Sequence, residues 1–206
     1  YVRLMQKVLV QGSPTETSLE KFIKYLDLVE KETERCANIV SGLLTFSRKS
    51  EPVFGQVDIP DLLKKCILLS NHKLELSNIE LVCKTEDGLP QVIGDSNQLQ
   101  QCLINLIFNA ADAMPEGGRL TLGARFETRD NEIAISVMDT GGGINEADLH
   151  HIFEPFFTTK MEGHGVGLGL STVFGIIEHH KGRVTVQSKP GRTVFTLHLP
   201  VQGETS

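Results

Sequence analysis

The stretch Asp139-Thr140-Gly141-Gly142-Gly143-Ile144 constrains this chain more than any other. It follows Ile133, Ile135 and Val137, an alternating apolar run that reads as the inward face of a strand. An acid at the end of such a strand, followed at once by glycines, fixes a carboxylate at a sheet's edge and lets backbone come close to whatever the carboxylate holds. A pocket for a flat polar ring can be built this way. A second run, Gly163-His164-Gly165-Val166-Gly167-Leu168-Gly169-Leu170, sets glycines at alternate positions just before an amphipathic stretch. Bare N–H groups and a helix N-terminus then face one point, and such a point attracts phosphate. Either cluster alone is more often a plain turn than a ligand site. An earlier helix carrying Asn105 and Asn109 reverses that reading.

With 206 residues, of which 40% are hydrophobic, the chain can form one ample domain, or one domain with a small appendage, around a buried core. This excludes disorder as the main state. No apolar run approaches the length of a membrane span, and no secretory leader is visible at Tyr1, so the chain reads as cytoplasmic, or as the cytoplasmic portion of a membrane-anchored protein. A start at Tyr instead of Met suggests a longer parent protein. Cys36, Cys66, Cys83 and Cys102 lie inside apolar patterns without C-x-x-C spacing, which favours reduced core cysteines over a metal site. A net charge of −6 argues against a nucleic-acid groove. An anionic ligand must then be met by local donors and a metal ion.

Tyr1, Met5 and Val8 share a face, consistent with the last turns of a helix that Gly12-Ser13-Pro14 breaks. Thr17 with Glu20 forms a capping box, and from Leu19 through Phe22, Leu26, Val29, Thr33, Cys36 and Val40 to Leu43 the apolar steps alternate between three and four. This heptad seam predicts a helical hairpin that dimerises into a four-helix bundle. The period stops at Ser47 to Gly55, placing a domain boundary near residue 50.

Beyond it, the pattern predicts a strand over 53–57 and a helix capped by Asp58, with Pro60 in its first turn, running to about Asn71. A strand over 79–84 precedes a long helix opened by Gly94-Asp95, with Leu99, Cys102, Leu103, Leu106 and Ala110 inward, ending at Pro115. Strands over 119–126 and 132–138, a helix from about Leu170 to His180, and a closing hairpin over 184–187 and 194–199 complete the series. Strands mixed with helices, without regular βαβ alternation, indicate an α/β sandwich with helices on one face of a mixed sheet.

Asn105 and Asn109 are four apart, so their amides project from one side of the helix. An amide oxygen is a hard neutral ligand that suits Mg²⁺, which keeps waters and takes its remaining ligands from substrate phosphates. The plainer reading is two polar residues on a solvated face. It is weakened by Leu106, Ala110 and Ala113 on the same helix and by the two glycine loops that follow.

The segments Asn105 to Ala113, Asp139 to Ile144, Phe153-Glu154-Pro155-Phe156-Phe157-Thr158-Thr159-Lys160 and Gly163 to Leu170 resemble, in order, the N, G1, F and G2 boxes of bacterial sensor histidine kinases. The resemblance covers Pro52 to Pro200. It implies the Bergerat-type sandwich shared with gyrase, Hsp90 and MutL-type ATPases, with residues 51–206 as the catalytic ATP-binding domain. Residues 1–50 then resemble a truncated dimerisation and histidine-phosphotransfer hairpin. By the same resemblance Asp139 accepts from the adenine amino group, and Gly141, Gly143 and Ile144 line the ring. Asn109 is the Mg²⁺ ligand, with Asn105 beside it on phosphate or a metal-bound water, and Asp112 and Ala113 complete that edge. Thr158, Thr159 and Lys160 belong to a lid reaching the phosphates, and His164, Gly165, Val166, Gly167, Leu168 and Gly169 wrap them. Thr193 lies on the strand near adenine. Phe156 and Phe157 read either as core aromatics or as part of lid docking.

The resemblance implies transfer of the ATP γ-phosphoryl group to a histidine and onward to an aspartate of a response regulator receiver domain, with Asn105 and Lys160 as catalytic residues. The matching position in related ATPases carries a glutamate that activates water, and the amide of Asn105 cannot take that proton. No His-Glu or His-Asp pair precedes Gly12. The acceptor is therefore expected to lie outside this sequence, and the chain to bind ATP without phosphorylating itself. The histidines present, His180 and His198 among them, are expected at the surface or in the lid. A nucleotide-gated interaction module that binds ATP without phosphotransfer is the alternative reading, and a gyrase- or Hsp90-like ATPase a third.

Overall fold

The computed structural model describes residues 19–30, 32–33, 53–159 and 167–201. Of these, 53–157 and 169–201 belong to one unit, and 19–30, 32–33, 158–159 and 167–168 to a second. In the second unit, residues 19–30 and 32–33 are helical, as the heptad seam predicts, and Leu19, Ile23 and Leu26 are exposed on them. The rest of the expected hairpin, including Thr17 of the capping box, lies outside the described residues.

The larger unit begins with strand β1 (Gly55–Val57), two residues shorter than the pattern predicts. Asp58 then caps helix α1 (Ile59–Leu76), its Oδ1 accepting the Asp61 N–H at 2.9 Å, with Pro60 in the first turn where its missing donor costs nothing. The helix continues five residues past Asn71 (71 to 76), and Leu74, buried in the core, anchors that extra turn. Strand β2 (Ile79–Thr85) follows, then β3 (Val92–Gly94), which pairs antiparallel with β1. The sequence pattern does not reveal β3, because three residues after a proline are too few to display a period.

Helix α2 (Ser96–Asp112) is capped by Asp95, whose Oδ1 accepts the N–H groups of Asn97 and Gln98 at 2.9 and 3.1 Å. Strands β4 (Gly118–Glu127) and β5 (Glu132–Asp139), helix α3 (Gly169–His179) and the hairpin β6 (Arg183–Lys189) and β7 (Arg192–Pro200) complete the unit.

The main sheet has the order β2-β4-β5-β7-β6. β2 lies parallel to β4 and the other pairings are antiparallel, so the sheet is mixed. One face carries Leu120, Leu122, Ile133, Ile135, Val137, Phe195, Leu197 and Leu199, and these pack with Leu63, Leu103, Leu106, Ile107 and Ile177 of the helices into one core. Each fully buried leucine or isoleucine stabilises the fold by about 1.5–3 kcal/mol relative to exposure. A core this continuous makes α2 and the end of β5 rigid mounts. Cys66 and Cys102 belong to it, and burial pushes the Cys66 thiol up to about 11 and the Cys102 thiol further in the same direction. Cys83 departs from expectation: it is exposed, because β2 is an edge strand with little packed against it. Among the described residues, no helix is long and apolar enough to cross a membrane.

Candidate functional site

Asp139 ends β5 as the sequence predicts, and only 3% of it is exposed. Its Oδ1 accepts the Gly141 N–H at 2.9 Å, which orients the carboxylate through a tight turn. Burial pushes the Asp139 carboxyl above its usual range, and the Gly141 N–H pulls it partly back. A buried acid with one backbone partner is an acceptor held ready for a second donor.

Thr193 is the register partner of Asp139 across β5 and β7, and is likewise 3% exposed. Its hydroxyl lies 2.9 Å from the Ser188 hydroxyl, which accepts the Ile144 N–H at 2.8 Å. The structure therefore sets Asp139 beside Thr193 by strand register, and Thr193 is linked through Ser188 to Ile144. Ser188 is a member that sequence reasoning missed. Its only signal was its place opposite Thr193 in the closing hairpin.

Gly141 and Gly143 owe their lack of a side chain to the chain itself. A Cβ on Gly141 would sit 2.5 Å from the Ala113 carbonyl oxygen, and Gly142 donates to that same oxygen at 3.3 Å. Gly143 has φ +84°, and a Cβ there would meet the Lys189 carbonyl at 2.8 Å. The acid–glycine loop is thus clamped between the end of α2 and the β6–β7 turn, and Gly191 donates to the Gly141 carbonyl at 2.9 Å.

Asn105 and Asn109 are half-buried on α2. The Asn105 amide donates to the Gly169 carbonyl at 3.4 Å, and a Cβ on Gly169 would stand 3.7 Å from the Asn109 amide nitrogen. Both asparagines therefore face the first residue of α3, where helix N–H groups and the positive end of the dipole favour an anion. From Asn105 to Ala113 is eight residues (113 − 105), roughly 12 Å of helix at 1.5 Å per residue. The carboxylate corner and the asparagine face are thus set apart along one rigid rod. Asp112 is exposed near the end of α2, and Lys73 lies 3.5 Å from its carboxylate and over the Phe108 ring.

Of the other expected site residues, Thr158, Thr159, Gly167 and Leu168 belong to the second unit. Lys160, His164, Gly165 and Val166 lie outside the described residues. Phe156 is no core aromatic: it is 66% exposed with φ +69°, whereas Phe157 packs against the core. His180 and His198 are buried, contrary to the expected surface or lid placement, because each has backbone or carboxylate partners inside the fold.

A family model described as "Histidine kinase-, DNA gyrase B-, and HSP90-like ATPase" matches residues 94–203, which contain α2, the acid–glycine loop, α3 and the closing hairpin. The chain belongs to this ATPase family. Within it, the chain is 32% identical over 179 residues to sporulation kinase E of Bacillus subtilis, a match covering 86% of this chain and 24% of that protein. Among solved structures it is similar to the catalytic domain of histidine kinase ThkA, with a TM-score of 0.65 and 30% identity, covering 72% of this chain and 97% of that one. It is also similar to ThkA in complex with the response regulator protein TrrA, with a TM-score of 0.78 and 26% identity, covering 98% of this chain and 57% of that one. The fold is accordingly that of histidine kinase catalytic domains, and the family uses ATP. The chain spans about a quarter of the length of sporulation kinase E.

Proposed function

We propose that this chain is the ATP-binding catalytic portion of a two-component sensor histidine kinase, with residues 51–206 as the catalytic domain and 1–50 as part of a dimerising phosphotransfer hairpin. The observation that carries this reading is the buried Asp139 carboxylate in one corner with Thr193 and Ile144, joined by α2 to an Asn105/Asn109 pair that faces the start of α3. Asp139 offers its carboxylate to the adenine amino group, and the Ala113–Gly141 edge borders the ring. The asparagine pair and the first turn of α3 face the triphosphate.

The donors fit Mg²⁺. The amides of two half-buried asparagines suit a hard cation that draws its other ligands from phosphates and water. Asn109 would hold it, with Asn105 on phosphate or a coordinated water. When bound, the cation neutralises charge on the β- and γ-phosphates. The family resemblance gives Lys160, Thr158 and Thr159 as further phosphate-binding residues. An imidazole nitrogen of the acceptor histidine then attacks the γ-phosphorus, the bond to the β–γ bridging oxygen breaks, ADP leaves, and the imidazole gives up its proton. The Asn105 amide cannot act as a base toward water, which favours transfer over hydrolysis. A response regulator receiver domain would be the next acceptor, and a second copy the partner of the heptad face.

The test mixes the chain with Mg·ATP and an intact histidine-bearing phosphotransfer domain. Acid-labile phosphohistidine on that domain is the expected product. Saturable nucleotide binding with no label transferred would leave an ATP-gated module and defeat the kinase reading. Steady phosphate release without any acceptor would point instead to a gyrase- or Hsp90-like ATPase.

A further inference from the structure

His180 directly follows α3 and is 3% exposed. Its Nε2 accepts the backbone N–H of Asp95 at 2.9 Å, and its Nδ1 lies 2.7 Å from the Ile176 carbonyl oxygen. A backbone N–H can only donate and a carbonyl can only accept, so the ring is held as the neutral Nδ1–H tautomer. Asp95 is itself fully engaged. Its Oδ1 caps α2, and its Oδ2 accepts the Val53 N–H at 3.1 Å. The Phe54 ring lies 4.9 Å from the imidazole, and a Cβ on Gly94 would stand 2.8 Å from the imidazole Cδ2. The imidazole is therefore wedged between the end of α3 and the start of α2.

The two helices run in opposite directions and are tied along their length. His180 meets Asp95 at one end, the Cys102 thiol faces the Val173 carbonyl at 3.9 Å midway, and the Asn105 amide meets the Gly169 carbonyl at 3.4 Å at the other end. Because a helix is stiff along its axis, the first tie sets where α3 stands along α2 at the last. We propose that His180 is a positioning residue: its neutral imidazole fixes the register of α3 against α2, and so the placement of Gly169 opposite the Asn105/Asn109 pair that receives the phosphates. This rests on the nucleotide reading of that pair.

The clamp is sensitive to pH by construction. A proton on Nε2 would point an N–H at the Asp95 N–H, leaving two donors face to face. The ionisable neighbours that bear on the ring are Asp95 from α2, whose carboxylate favours the charged form, and His179 beside it, which opposes that form. Burial is the larger influence and depresses the His180 pKa below 6.5. A depressed folded-state value means that the ring's contribution to stability is complete above the unfolded value near 6.5 and is lost as pH falls through the lower folded value. Nucleotide binding does not involve the unfolded chain, so affinity should fall only as pH drops through the lowered folded value.

Two variants of the full chain test this. His180→Gln supplies an amide oxygen for Asp95 and an N–H for Ile176 but cannot be protonated, whereas His180→Leu fills the space without an acceptor. Nitrogen-15 NMR of the ligand-free parent should show a neutral Nδ1–H ring at pH 7. In titrations with Mg²⁺ and a nonhydrolysable ATP analogue, His180→Gln should match the parent at pH 7.5, and His180→Leu should bind about tenfold more weakly. As pH falls through the folded-state value of His180, read by the same NMR across pH, the parent should lose affinity severalfold more than His180→Gln, a difference from which phosphate and Asp139 titration cancel. An Nε2–H or charged ring at pH 7, or a His180→Gln profile that tracks the parent, overturns the proposal, and the Gln variant decides if the Leu variant does not fold. A parent that binds no nucleotide overturns the underlying site reading too. A neutral Nδ1–H ring, normal parental binding and silent variants overturn this proposal alone.

Discussion

Asp139→Asn should separate purine recognition from the fold that supports it. The carboxylate is 3% exposed, and its Oδ1 accepts the Gly141 N–H at 2.9 Å. An asparagine can keep that bond through its own Oδ1, which places its NH₂ where the second carboxylate oxygen stood. A donor then faces the adenine amino group, itself a donor. A hydrogen bond to a charged acceptor is worth about 1.5–3 kcal/mol net, so the Kd for Mg·ATP should rise roughly 10- to 150-fold. Stability should move in the opposite direction. Burial raises the Asp139 pKa in the folded state, so the native protein holds that proton more tightly than the unfolded chain. The group's favourable contribution is complete below the unfolded pKa and is lost as pH rises through the raised folded value. At neutral pH the ionised form is a net cost, which the neutral amide removes. Thermal denaturation should place the Tm of the variant at or above that of the parent, while calorimetric titration shows the lost affinity. The parent's affinity should also weaken as acidification reaches the raised range of Asp139, and the asparagine variant should lack that limb. An unchanged Kd refutes the purine assignment. Lost binding together with a Tm several degrees lower refutes the separation of the two roles.

Three further substitutions probe the metal face, the acid–glycine loop and the backbone after α3. Asn109→Ala should weaken Mg²⁺-dependent nucleotide binding by about tenfold or more and leave metal-free binding unchanged, as titrations with and without Mg²⁺ would show. Gly141→Ala forces a methyl to 2.5 Å from the Ala113 carbonyl, where both sides are backbone, and should cost about 1–3 kcal/mol in urea unfolding. Lys181→Gly relieves a residue held at φ +57°: a left-handed penalty of about 1–2 kcal/mol is removed against about 0.5–1 kcal/mol of added unfolded-state entropy. The denaturation midpoint should therefore rise by the equivalent of up to about 1.5 kcal/mol, with an unchanged slope.

What could be read from the sequence is what depends on near neighbours. Asp58 was legible as a cap and Asp95 as a helix start because each carboxylate bonds an N–H two or three residues on, and Asn105 and Asn109 were legible as a pair because helix geometry alone puts them on one side. The family resemblance named Asp139 and Thr193 together, but no local rule shows why they meet. Their register is set by pairing between β5 and β7. His180 was misplaced for the same reason: its decisive partner, Asp95, is 85 residues away. Ser188 reaches Ile144 across 44 residues, and Asn105 reaches Gly169 across 64. Periodicity carries the faces of helices and strands, whereas these contacts are decided by which strand lies beside which.

The glycines show how the two kinds of information combine. From the sequence, Gly141 and Gly143 could be spared a side chain either for a ligand's sake or for the chain's own. The contacts with the Ala113 and Lys189 carbonyls show that the chain's own backbone suffices as the reason, so the loop is shaped by the fold and does not wait for a ligand to shape it. A loop fixed in advance has little ordering entropy to lose on binding, so more of the interaction energy at its carboxylate reaches the affinity. The same rigidity keeps the loop from shifting to restore a lost contact. The loss expected for Asp139→Asn therefore lies nearer the upper end of its range than it would in a pliant pocket, and rescue should come from a nucleobase that presents an acceptor at that position, not from a rearranged protein.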